Sequence, residues 1–175
     1  MPFSTKAYPR TRESVADTRA AARALIERGL DKYRFGDAKG AIIDLSQAIL
    51  LNPRDAQAFL VRGNAFRELG DKPQALLDLN ESVRLNPKDA LVFFSRGNVR
   101  DDVGDQVGAI ADYDRAILLR PDYAEAYYNR GLIKSQRGDR RGAIRDLTDA
   151  QRFFAQQRNS VGYQKAFDLR SQLGG

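Results

Sequence analysis

Apolar and small residues recur along this chain at helical spacing, and the whole arrangement returns every 34 residues. Leu25, Phe59, Phe93 and Tyr127 form one column of the repeat. Gly29, Gly63, Gly97 and Gly131 lie one helical turn further on. Ala41, Ala75, Ala109 and Ala143 form a third column, and Leu45, Leu79, Tyr113 and Leu147 a fourth. Ala48, Ser82, Ala116 and Ala150, then Leu51, Leu85, Leu119 and Phe153, complete the face expected to be buried. Large residues beside small ones let antiparallel helices approach closely. A glycine inside a helix costs about 1 kcal/mol against alanine, so close backbone approach is the reason to keep one there.

The same beat carries the punctuation. Gly-Asp stands at 36–37, 70–71, 104–105 and 138–139. Glycine ends a helix in the left-handed conformation without a Cβ penalty, and the aspartate after it caps the next helix and complements its dipole. That second helix stops at Asn52-Pro53, Asn86-Pro87 and Arg120-Pro121, because proline cannot continue a helix and drives its predecessor out of the α region. Four helix pairs are therefore predicted, over 22–55, 56–89, 90–123 and 124–157. A fixed period of this length marks a stacked repeat.

The ends depart from the pattern. Residues 1–21 read as a polar leader, with Pro2 and Pro9, followed by the start of the first helix at Thr11 or Ser14. The fourth unit lacks the closing proline, so its second helix should run on to about Gln157. Within 158–175, Val161, Ala166, Leu169 and Leu173 recur at helical spacing between a candidate cap, Ser160, and a stop, Gly174. This segment is predicted to be a helix that covers the last open face of the stack.

Composition narrows the chemistry. The chain has no Cys and no His, which removes disulfides, thiolate metal sites and the commonest general base. No metal or other cofactor is expected. Asp101 and Asp102 are adjacent on a helix and cannot face one another as a catalytic pair. No phosphate loop or nucleophile elbow is present, so the chain is read as non-catalytic. No apolar run approaches the roughly 20 residues that span a bilayer, which predicts a soluble, cytoplasmic protein. The net charge of +6 divides as +2, +1, 0, −2, +3 and +2 over 1–21, the four repeats and 158–175. The surplus thus sits at the two ends and forms no continuous basic stripe of the kind a nucleic-acid reader shows. Its densest patch is Lys134, Arg137, Arg140, Arg141 and Arg145.

AQAFLVRGNAFRELGDKPQALLDLNESVRLNP at 56–87 and AEAYYNRGLIKSQRGDRRGAIRDLTDA at 124–150 carry a family resemblance. The pattern resembles the tetratricopeptide repeat, a helix–turn–helix unit of 34 residues, over about three quarters of the chain. One departure is that the aromatic expected three residues after the small glycine is present only as Phe66; Lys32, Arg100 and Lys134 stand at the other copies. The resemblance implies an all-α fold, a right-handed α-solenoid of four antiparallel helix pairs with a C-terminal capping helix. It also implies a protein–protein interaction scaffold or assembly adaptor. Some members hold chaperone C-terminal tails with a clamp of Lys, Asn and Arg for two carboxylates. Here only Asn64 matches that set, with Leu60, Ser95, Glu125 and Asn129 at the other places, so chaperone-tail binding by the clamp is not expected.

Two further patterns bear on function. An Arg column (Arg28, Arg62, Arg96, Arg130) accompanies an Asp column (Asp44, Asp78, Asp112, Asp146). Pairing between neighbouring repeats, Asp44 with Arg62 and so on, is expected, with pairing inside one repeat as the competitor. The first helices should line the concave side of the stack. Helical projection then exposes Ile26, Leu60, Phe94 and Tyr128 there, flanked by Asn64 and Asn98, by Arg67 and Asp101, and by Leu91 and Glu125. These ten residues are the candidate partner-binding site, a groove for a protein or peptide segment. Asparagine can donate to and accept from a peptide backbone, while the apolar residues supply anchors. The alternatives are RNA or another polyanion on the basic C-terminal end, and self-association through an open end of the stack.

Overall fold

The computed structural model describes the backbone of residues 12–174 and the side chains of 16–174; the predicted leader at 1–10 lies outside the described residues. Helices follow one another as α1 (Arg12–Arg34), α2 (Ala38–Leu51), α3 (Ala56–Glu68), α4 (Lys72–Leu85), α5 (Ala90–Asp102), α6 (Gln106–Leu119), α7 (Ala124–Gln136), α8 (Arg140–Gln156) and α9 (Ser160–Gln172). No strand occurs among the described residues. The fold is an all-α solenoid in which each odd-numbered helix packs against its even-numbered successor and the pairs stack in chain order.

The turns follow the chemistry of Gly-Asp. Gly36, Gly70, Gly104 and Gly138 hold φ between 82° and 84°. The amide of each following aspartate donates back to a carbonyl of the helix just ended, as from Asp105 to Arg100 at 2.8 Å. The carboxylates of Asp37, Asp71, Asp105 and Asp139 then accept from the amides of Gly40, Gln74, Gly108 and Gly142. One dipeptide thus closes one helix and opens the next.

The glycine column is where the pairs touch. A Cβ built on Gly29, Gly63 or Gly97 would come within 2.8–3.0 Å of Leu45, Leu79 or Tyr113. Those three side chains, and Leu147 opposite Gly131, are at most 1% exposed. The alanine columns are equally closed. The outermost predicted core column is looser: Leu51 is 41% exposed, and Leu85, Leu119 and Phe153 are half-buried.

The arginine–aspartate pairing differs from the expected register. Arg28, Arg62, Arg96 and Arg130 each bind the aspartate of their own repeat, in bidentate fashion, at 2.6–2.9 Å. The reason lies in the glycine contact. Each Arg immediately precedes a column glycine, and each Asp immediately precedes the large residue packed on that glycine, so both project from the same closest-approach line. The link between repeats is still present, by another atom. Nη1 of Arg62, Arg96 and Arg130 donates to Ser46, Asn80 and Asp114 of the preceding repeat at 2.5–3.0 Å. Each guanidinium therefore ties its own pair and the neighbouring one. In the first repeat, hydrogen bonding from Arg28 holds the Asp44 carboxyl down at about 2 against the opposing effect of burial, with Lys32 assisting.

At the end of the stack the chain reuses the turn with different residues. Arg158 takes φ 56°, Asn159 donates its amide to Phe154 at 2.9 Å, and the Asn159 side chain caps α9 through Gly162. Arg-Asn here does what Gly-Asp does elsewhere, and the cap is Asn159 where Ser160 was expected. An L-residue in the left-handed region costs about 1–2 kcal/mol. Arg158→Gly should therefore stabilise the protein by about 0.5–1 kcal/mol after the entropy of the unfolded glycine is charged against it, read as a higher midpoint in urea unfolding at unchanged slope. A lower midpoint would mean that the Arg158 side chain, not its backbone, matters.

Candidate functional site

The candidate residues lie on the first helices α1, α3, α5 and α7, with different exposures. Ile26 and Leu60 are not exposed anchors: they are 6% and 5% exposed. Ile26 packs with Ala58 and Val61 of α3, and Leu60 with Val92 and Val99 of α5. Successive first helices lie close enough to seal this column in the first two repeats. Phe94 and Tyr128 are half-buried, Leu91 and Arg67 exposed, and Asn64, Asn98, Asp101 and Glu125 half-buried. The apolar column therefore opens only in its C-terminal half.

There it borders a pocket of about 280 Å³ lined by Phe94, Glu125, Tyr128, Asn129, Val161 and Lys165, among others. Helix α9 supplies the far wall. Phe94 is steadied by Tyr123 and Tyr113, with ring centroids at 4.8 and 5.9 Å. Beneath it, the Tyr113 hydroxyl and the Asn129 amide both donate to Oδ1 of Asn98 at 2.8 Å. Asn98 is thereby fixed, its acceptor engaged and its amide group left to donate. Burial pushes the Tyr113 phenol well above its usual range, so the hydroxyl keeps its proton as a donor.

Further towards the N-terminal end the face is polar. Tyr33, Asn64, Arg67, Glu68 and Asp102 surround a second hollow, of about 320 Å³. Arg67 reaches across from α3 to Asp102 on α5 at 2.5 Å, and Lys72 donates to the Asp102 carbonyl at 2.6 Å. Arg67 is thus a strut between repeats.

Sequence reasoning missed Tyr113, Asn129, Val161 and Lys165 as parts of this face. Tyr113 occupies a column of leucines, and a tyrosine there signalled a hydroxyl in need of a partner. Nothing in the sequence marked the contribution of α9. The basic patch is partly consumed: Lys134 pairs with Asp146 at 2.8 Å, and Arg140 donates to the Leu173 carbonyl at the end of α9. Arg137, Arg141 and Arg145 remain exposed, without hydrogen bond or ion pair among the described residues. No described helix is long and apolar enough to cross a membrane.

Comparison with known proteins agrees with this architecture. Residues 26–90 match a model described as tetratricopeptide repeat, and residues 102–138 one described as TPR repeat. Together these take in more than half of the 175 residues. No curated protein matches the sequence. Among solved structures, a MamA protein is similar at 24% identity and TM-score 0.68, over 87% of this chain and 86% of that one. The TPR domain of OM64 from Arabidopsis is similar at 24% identity and TM-score 0.66, over 68% and 98%. The first TPR domain of Spaghetti (RPAP3), bound to the HSP90 peptide SRMEEVD, is similar at 24% identity and TM-score 0.67, over 69% and 95%. At such identities the likeness speaks for the fold, and with the two repeat matches it leads to one assignment: this chain belongs to the tetratricopeptide-repeat family, whose repeats serve in general as scaffolds for protein–protein interaction.

Proposed function

We propose that this protein is a non-catalytic interaction module that holds a segment of a partner protein against the C-terminal half of its concave face, between α5, α7 and α9. One observation carries the reading. Two aromatic side chains, Phe94 and Tyr128, stand half-open around a pocket also lined by Asn129, whose amide is held by Asn98, itself fixed by the Tyr113 hydroxyl. Aromatic anchors in a preorganised, partly desolvated setting are the usual energetic centre of an interface. The similarity to the RPAP3 domain, which carries a bound peptide, supports peptide binding on this fold. The ligand chemistry should differ from that peptide's acidic tail, because the two-carboxylate clamp is represented here by Asn64 alone.

A comparative pull-down from the source cell lysate tests this. The baits are the wild type and a Leu91→Glu, Tyr128→Glu variant, at low and moderate salt, with circular dichroism as the folding control. Both positions are accessible, whereas a charge at Leu60 would unfold the stack. A partner kept by the wild type and lost by the folded variant at both salts is the expected result. Capture that ignores the variant and yields to salt would shift the site to Arg137, Arg141 and Arg145 and favour a polyanion.

A further inference from the structure

Most carboxylates among the described residues are accounted for. Asp44, Asp78, Asp112 and Asp146 are buried and bound by arginine. Asp55 and Asp89 cap helices, Glu81 and Asp149 pair with arginines one turn away, and Asp102 takes Arg67. Among the described residues, two half-buried carboxylates have neither a hydrogen bond nor an ion pair: Asp101 and Glu125. Both lie on the first helices that carry the aromatic pair, and Asp101 is near enough to Tyr113 to act on its phenol. Asp101 lies on α5 two turns beyond Phe94, about 10 Å along the helix axis. Glu125 lines the pocket itself.

The nearby cations do not satisfy them. Arg67 is engaged by Asp102, and its attraction for Asp101 only partly offsets burial there. Arg120 lies over the Tyr123 ring, 3.1 Å from its centroid, and Lys165 is exposed on the far wall; neither forms an ion pair with Glu125. A half-buried carboxylate without a hydrogen bond or ion pair loses hydration that a cation or donor would restore. Burial and the neighbouring Asp102 hold the Asp101 carboxyl above its ordinary range.

We infer that the groove selects partner segments carrying lysine or arginine beside an apolar side chain, with the apolar group between Phe94 and Tyr128 and the cation on Asp101 or Glu125. This deepens the groove reading and rests on it. The apolar contact supplies the anchor, and the two carboxylates supply complementarity, which governs specificity more than affinity. An acidic tail would meet like charge at both positions, and like-charge juxtaposition suppresses the wrong partner.

Selection from a phage-displayed library of random peptides tests the inference. The baits are the wild type, an Asp101→Asn, Glu125→Gln variant that keeps shape and removes charge, and Tyr128→Ala, each checked for helicity. The wild type should enrich peptides with Lys or Arg near Leu, Ile or Phe. A peptide synthesised from that set should bind the Asn/Gln variant on the order of tenfold more weakly. Tyr128→Ala should weaken basic and neutral apolar peptides alike. If enriched peptides are acidic or uncharged, or ignore the Asn/Gln change, while Tyr128→Ala still weakens them, the charge inference fails and the groove stands. If no peptide is enriched, or all ignore Tyr128→Ala, the groove reading fails and takes the inference with it.

Discussion

Asp112→Ala should destabilise this protein by about 3–5 kcal/mol, the cost of leaving a buried charge unpaired. Asp112 is 3% exposed and accepts from Nε and Nη2 of Arg96 and from Nη1 of Arg100 at 2.7–2.9 Å. Its removal takes the bidentate partner from Arg96, only 14% exposed, and leaves Arg100 with the Gly108 carbonyl and Asp105. The midpoint of thermal unfolding should fall on the order of 10 °C. The array contains its own control. Asp44 is as buried as Asp112, but its partners Arg28 and Lys32 are 59% and 35% exposed and return to water when released. Asp44→Ala should therefore cost less than half as much. Equal losses at the two positions would show that burial of the arginine does not set the cost. Replacing Arg96 and Asp112 together by Met and Leu should recover much of the stability, because both charges then avoid desolvation. The pair's contribution would be register: a guanidinium fixed by Asp112 also holds Asn80 of the preceding repeat at 2.9 Å.

The helix pairs, their turns and their caps were legible because each is decided within a few residues. Gly-Asp sets one backbone conformation and one carboxylate acceptor, and proline sets the next boundary. Packing columns could be read because a 34-residue period repeats the same environment. What the sequence could not convey was the relation between one repeat and the next. Ile26 and Leu60 look like Phe94 and Tyr128 in the repeat frame, yet the first two are sealed by the following first helix. The difference lies in side-chain size and in what covers each copy, which the period averages away. The arginine register failed for a related reason. The glycine column already marked the closest-approach line inside each repeat, and the arginine and aspartate both stand one residue before it. A pocket whose wall comes from α9, outside the repeat frame altogether, has no signal in the 34-residue pattern.

Gly97→Ala should destabilise the protein although alanine is the better helix former. The substitution gains about 1 kcal/mol in helix propensity. Against this, the new methyl would lie 2.8 Å from Cε1 and 3.0 Å from Cδ1 of Tyr113. Tyr113 is 1% exposed and cannot withdraw into solvent. Its hydroxyl is tied to Asn98 at 2.8 Å, so the ring cannot tilt without losing that bond. Overpacking of this kind costs about 1–3 kcal/mol, and the broken hydrogen bond adds about 1 kcal/mol, so a net loss of about 1–3 kcal/mol is expected in urea unfolding. Gly131→Ala is the matched comparison. Its nearest neighbours are Asp146 Cβ and Leu147 Cγ at 3.2 Å, a contact that needs a shift of only a few tenths of an ångström, and no hydroxyl depends on them. It should be close to neutral. The two variants should also part company in binding. Displacing Tyr113 frees Asn98 and loosens Phe94, whose ring rests 5.9 Å from that of Tyr113, so Gly97→Ala should weaken a groove-bound peptide while Gly131→Ala leaves it unchanged. If Gly97→Ala lost stability yet bound peptide as the wild type does, the ordered floor beneath Phe94 would not be part of the recognition surface.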